Sequence, residues 1–98
     1  LTWPIVLRPE ASLDVEEARD YFERKRADLG QEFLDQLKDV LDRISAMPQI
    51  YGSVWRNLRA ARLRRFTYVV YYRVHDDRVE VLAALHGRRD ASAWRSRT

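Results

Sequence analysis

The residues best suited to chemistry are arginines. Arg56, Arg59, Arg62, Arg64 and Arg65 fall within ten positions of one another. On a strand Arg62 and Arg64 point the same way, because side chains repeat every two residues. A guanidinium grips phosphate or carboxylate through a planar two-point fork. The cluster therefore reads as an anion-binding face; the competing reading is an exposed strand whose charges discourage edge pairing.

A second run is His86-Gly87-Arg88-Arg89-Asp90. Metal-free RNA cleavage needs a general base, a general acid and fixed cations. His86 is the candidate for proton transfer, with Arg88 and Arg89 as stabilisers, and Arg itself stays charged. The plainer reading has His86 closing a strand and bonding backbone. A third set is Trp55, Tyr68, Tyr71, Tyr72 and Trp94. Such rings stack on bases beside Arg when exposed, but the strand tyrosines read better as core. Trp94 stands alone in a polar tail, and either staples that tail down or meets a partner. Asp14, Glu17 and Asp20 share helical spacing, yet a solvated helix face accounts for them. The chain has no Cys and only two His. That removes disulfides, thiolate nucleophiles and Cys-based zinc sites, and no metal or cofactor is expected.

These residues need a scaffold. Ile5-Val6-Leu7 before Pro9 predicts a first strand, with Pro9 in the first turn of a helix. Ala11, Val15, Ala18 and Phe22 form one helical stripe. Asp28-Leu29-Gly30 breaks the helix. Phe33, Leu37, Leu41 and Ile44 form the next stripe, flanked by Leu34, Val40 and Met47, and Pro48 ends it. So short a break predicts an antiparallel helical hairpin. Residues 48–57 read as a loop anchored by Ile50, Tyr51, Val54 and Trp55. The stretch from Leu58 to Phe66 alternates imperfectly. Tyr68 to Val74 is the strongest strand signal, apolar on both faces and so central. His75-Asp76-Asp77 makes a tight connection, and Val79 to Leu85 gives a last strand. The predicted fold class is α+β: β-α-α-β-β-β, a helical hairpin packed on a small antiparallel sheet.

At 98 residues the chain spans a single domain, 1–98. Hydrophobic residues are 46% and charged residues 34%, ordinary for a globular domain. No apolar run reaches the ~18 residues of a membrane span, and no signal-peptide pattern opens the chain, so the expected location is cytoplasmic. Sixteen of the 18 basic residues are Arg. Residues 1–42 hold 11 acids and 6 bases, a net of −5. Residues 43–98 hold 4 acids and 12 bases, a net of +8. That split points to an anionic partner for the second half, either nucleic acid or an acidic protein segment.

The order of several short markers resembles the RelE/ParE superfamily of type II toxin–antitoxin toxins, within it the ParE-like (plasmid stabilisation) branch. The markers are Val6-Leu7-Arg8-Pro9-Glu10-Ala11 running into Asp14 and Tyr21, then Leu29-Gly30 with Phe33, and Ile44 to Pro48. Leu58-Arg59 and Arg64-Arg65-Phe66 follow, leading into Tyr71-Tyr72-Arg73-Val74, and last Leu85 to Asp90 with Trp94. The resemblance implies a toxin that arrests bacterial growth and is neutralised by a cognate antitoxin in a hetero-oligomer. It also implies DNA gyrase as target, with Arg59, Arg62, Arg64, Arg65, Arg88, Arg89 and Trp94 as target- or antitoxin-binding residues. RelE-like relatives instead cleave mRNA on the ribosome. Here no Lys lies on a strand and the C-terminal aromatic is Trp94, whose indole cannot shuttle a proton. The non-enzymatic reading leads on that ground. A metal-independent endoribonuclease built on His86, Arg62, Arg64 and Arg88, and an inactive nucleic-acid-binding remnant, are the alternatives.

Overall fold

The structure, a computed structural model, describes residues 2–98. The strands are β1 (Ile5–Leu7), β2 (Ser53–Trp55), β3 (Leu58–Arg62), β4 (Tyr68–Val74) and β5 (Val79–His86), and the helices are α1 (Pro9–Lys25), α2 (Leu29–Ala46) and α3 (Ser92–Arg95). The strands form one sheet in the order β1-β5-β4-β3-β2, which puts the apolar β4 in the centre as its two-sided burial requires.

The hairpin α1–α2 follows from the stripes: Ala11, Ala18, Phe33, Leu37, Val40 and Ile44 are all buried. Its turn is held by one carboxylate. Glu23 accepts the N–H groups of Asp28 and Gly30, each at 3.0 Å, while Asp28 takes a left-handed φ of 70°. Gly30 lets the helices touch, since a Cβ there would stand 2.8 Å from the Arg19 carbonyl oxygen.

Four features differ from the sequence-based expectation. The sheet is mixed, because β1 runs parallel to β5 with Ile5 opposite Val79, while the other pairings are antiparallel. Alternation within a strand carries no information on pairing between chain-distant strands. Second, the loop 48–57 contains β2, an edge strand joined to β3 by the two-residue turn Arg56-Asn57. Ile50 and Val54 are exposed there rather than anchored, while Tyr51 and Trp55 are partly buried. Third, β3 stops at Arg62, so Arg64 lies beyond it and the shared-face argument does not apply. Fourth, the polar tail folds into α3, where Trp94 is buried and takes the stapling role, one of its two expected ones.

The sheet separates two apolar layers. Ala61, Val70, Tyr72, Val79 and Val81 pack against the helices. Leu58, Val69, Tyr71, Leu82, Ala83 and Leu85 face the other way, and Trp94 packs on them. A bulge in β5 sharpens the division. Tyr71 pairs with Ala83 and Tyr72 with Val81, so Leu82 is the extra residue. Both Leu82 and Ala83 thereby reach the tail side.

Candidate functional site: the face beneath the C-terminal tail

The tail is held to the sheet at three places. Trp94 stacks on Tyr71, with ring centroids 4.8 Å apart and planes 19° from parallel. Arg95 places its guanidinium 5.3 Å from the Trp94 ring and 5.3 Å from the Trp55 ring. Arg56 sits 4.4 Å from Trp55. Arg56, Trp55, Arg95, Trp94 and Tyr71 thus form a ladder of alternating cations and rings, from the β2–β3 turn to the central strand. Arg56 has a φ of 52°, at a turn position that favours glycine. The backbone there is strained, and the Arg56–Trp55 contact helps hold it.

The third hold is polar. Arg97 grips both carboxylate oxygens of Asp14, at 2.5 and 3.2 Å, and donates to the Leu82 carbonyl at 3.1 Å. Asp14 also accepts the Ala84 N–H at 3.0 Å. Arg8 closes the loop by donating to the Arg97 carbonyl. The logic lies in the sheet edge: β1 pairs only with Val79, Glu80 and Val81, so β5 continues past it with unmet backbone groups. Asp14 and Arg97 satisfy that edge in place of a strand. The hydrogen bonds that Arg97 donates to Asp14 raise the Arg97 pKa above its ordinary value. Asp14, which the sequence placed on a solvated helix face, is therefore buried and structural. Its signal was faint but present: Asp14 falls one turn after Ala11 and one before Ala18, on the buried stripe.

Beside the tail lies an open groove of ≈470 Å³ with Ala60, Val69, Tyr71 and Trp94 as its apolar floor and Arg62 at one end. Arg62 reaches over Val69, and its guanidinium passes 3.2 Å from where a Cβ on Gly87 would stand. Among the described residues, Arg56, Arg62, Arg88, Arg89 and Arg95 form no salt bridge. The other arginines singled out from sequence are spent differently. Arg59 donates to the carbonyls of Gln49 and Tyr51, at 3.3 and 2.6 Å, and so fastens the loop after α2. Arg65 pairs with Glu32 at 3.0 Å, which together with Arg26 holds the Glu32 carboxyl below its usual range. Arg64 lines a small cleft against α2 together with Arg62, Asp39 and Arg43.

His86 lies on the helix side of the sheet, its ring edge-on to Tyr68 at 5.7 Å. Its Nδ1 accepts the Arg88 N–H at 3.1 Å. His86 lines a recess on that side, apart from the cleft that Arg62 and Arg64 share. At the far end of the open face Glu80 accepts from His75 at 2.8 Å and from Arg73 at 3.1 Å. Burial alone would raise the Glu80 pKa, but these two hydrogen bonds outweigh it and hold the carboxyl below its usual range. No group of three or more metal-ligating side chains occurs among the described residues, nor a helix long and apolar enough to cross a membrane.

The arrangement is a basic, aromatic face on a sheet, in a fold that a solved structure shares. A chain of the solved structure "Chromosomal ParDE TA system from P. aeruginosa" matches in fold with a TM-score of 0.65 at 14% identity, over 87% of this chain and 96% of that one. Toxin ParE2 of Mycobacterium tuberculosis, in strains CDC 1551 / Oshkosh and ATCC 25618 / H37Rv, is 31% identical over 85 residues, covering 82% of this chain and 77% of the relative. Residues 5–91 match the family described as the ParE toxin of the type II toxin–antitoxin system parDE. The chain belongs to the ParE toxin family of type II toxin–antitoxin systems.

Proposed function

We propose that this toxin arrests growth by binding a protein target, DNA gyrase, in the cytoplasm. A cognate antitoxin neutralises it by laying an acidic segment across the open sheet face. The observation that carries this reading is the Arg62 guanidinium, which forms no salt bridge among the described residues, at an apolar groove that Trp94 helps to form, with the Arg56 and Arg95 guanidiniums on the neighbouring Trp55 and Trp94 rings. Unneutralised cations around an apolar floor suit an amphipathic acidic peptide. The assembled complex is a hetero-oligomer of toxin and antitoxin. Arg59 and Arg65, engaged within the chain, support loops and leave recognition to the rim. His86 and Arg64 line separate cavities, which supports binding over RNA cleavage.

Inducing the chain alone and with its antitoxin tests the first half; growth unimpaired by the toxin alone overturns it. Adding purified toxin to a gyrase supercoiling reaction tests the second. Supercoiling should fall with toxin and recover with antitoxin. Unaffected gyrase, together with mRNA cuts in a translating extract that His86→Ala abolishes, would replace this reading with the endoribonuclease.

A further inference from the structure

A second recess opens on the opposite side of the sheet from the docking groove. It measures ≈260 Å³, and its walls are Tyr21 and Phe22 of α1 with Phe66, Thr67, Tyr68 and His86. The rings already pack edge-to-face among themselves: Phe22 meets Phe66 at 4.7 Å and Tyr68 at 5.7 Å. The recess is therefore built on a rigid aromatic base, while Tyr21 forms an exposed wall. Its polar edge consists of donors. Because His86 Nδ1 accepts the Arg88 N–H, the neutral ring carries its proton on Nε2. Tyr68 adds a hydroxyl for which no hydrogen bond is found among the described residues, and burial raises its pKa, so it remains a donor. Arg65 reaches the mouth, and Lys25 stands 5.1 Å from the Tyr21 ring. Carboxylates are also near: Glu32 is bound to Arg65 and Arg26, and Asp14 and Glu17 act on Tyr68 from α1, opposed there by Arg89.

We infer that this recess is an anchor pocket for one large apolar or aromatic side chain with a carboxylate beside it, carried by an acidic peptide. The aromatic walls exclude water from the side chain, which is how a single anchor residue comes to dominate an interface. His86 Nε2–H and the Tyr68 hydroxyl supply donors to the adjacent carboxylate. The volume is ample for one aromatic side chain. The inference rests on the reading of an acidic protein partner for the identity of the peptide, but the pocket can be probed without that partner.

The probe is the blocked pentapeptide Asp-Glu-Phe-Glu-Asp, titrated into the full chain while backbone amide and imidazole resonances are followed. Saturable shifts should centre on Tyr21, Thr67, Tyr68 and His86 and spare Tyr71 and Trp94. Replacing Phe of the peptide by Ala should weaken binding by about tenfold or more, and replacing its acids by their amides should weaken it by a comparable factor. In the protein, Tyr21→Ala removes an exposed wall and should weaken the Phe peptide while leaving the remaining spectrum in place. Equal binding of the Phe and Ala peptides, shifts centred on Trp94, or no saturable shift at millimolar peptide would each overturn the pocket. A pocket that fails with toxicity intact leaves the toxin reading standing; a pocket that binds in a non-toxic chain does the reverse.

Discussion

The two faces of the sheet are covered by different means. On one side the helical hairpin brings a long apolar stripe on each helix, and Phe33, Ile44 and Ala11 are fully buried. On the other side a four-residue helix brings one large apolar residue, Trp94, and relies on an ion pair to keep it there. Apolar burial is additive and undirected, so the helix side tolerates small adjustments. The tail side depends on a few directed contacts, and losing one releases the whole element. The lesson is that the face under the tail is the less redundantly secured of the two, and segments held by few contacts open first.

The largest effect should come from the redundant side, because there the removed atoms leave a cavity in the main core. Phe33→Ala should cost about 3–5 kcal/mol in denaturant unfolding and lower protection of both faces together. Release of the tail alone by this variant would break the comparison.

Asp14→Ala should come next, at about 2–3 kcal/mol, since it strands the Ala84 N–H and frees Arg97. Hydrogen exchange should quicken at Ala84 and through residues 92–98 while α2 stays protected. A double-mutant cycle with Arg97→Ala should be strongly non-additive. Additive losses would mean that the tail is held by Trp94 alone.

Gly30→Ala tests how tightly the hairpin itself closes. The new methyl meets the Arg19 backbone carbonyl at 2.8 Å as well as Glu23 Oε1 at 3.0 Å, so a loss of about 1–3 kcal/mol is expected in thermal unfolding. A neutral or stabilising result would show that α1 and α2 can separate without penalty.

The smallest effect is a pH response at the far end of the open face. The Glu80 carboxyl is held lower in the folded chain than its ordinary value of 4.5. Its contribution is thus fully present above that value and is lost as pH falls through the lower folded one. Glu80→Gln should flatten the acid limb of stability and leave the neutral plateau little changed. An acid limb identical to that of the parent chain would remove Glu80 from this account.

Much of the scaffold was legible in the residues. Ala11, Ala18, Phe33, Leu37 and Ile44 carry the helical period, and Tyr68 to Val74 carries a strand buried on both faces, because burial imposes those patterns. The order of short markers was sufficient for the family resemblance, and the family match bears it out. The site was harder to read. Arg59, Arg62, Arg64 and Arg65 look equivalent in sequence, yet Arg59 and Arg65 have partners within the chain and Arg62 does not. Which cation is free is a property of neighbours brought from elsewhere in the chain.

The sequence by itself determined the helical hairpin, the central strand, the charge split and the family. Each is written in local spacing, local composition or marker order. The tertiary structure alone decided the parallel edge of β1, the buried role of Asp14 and the seat of Trp94. Asp14 and Arg97 are 83 positions apart. Nothing local marks them as partners; the unmet edge of β5 brings them together, and that edge exists only once the sheet has formed.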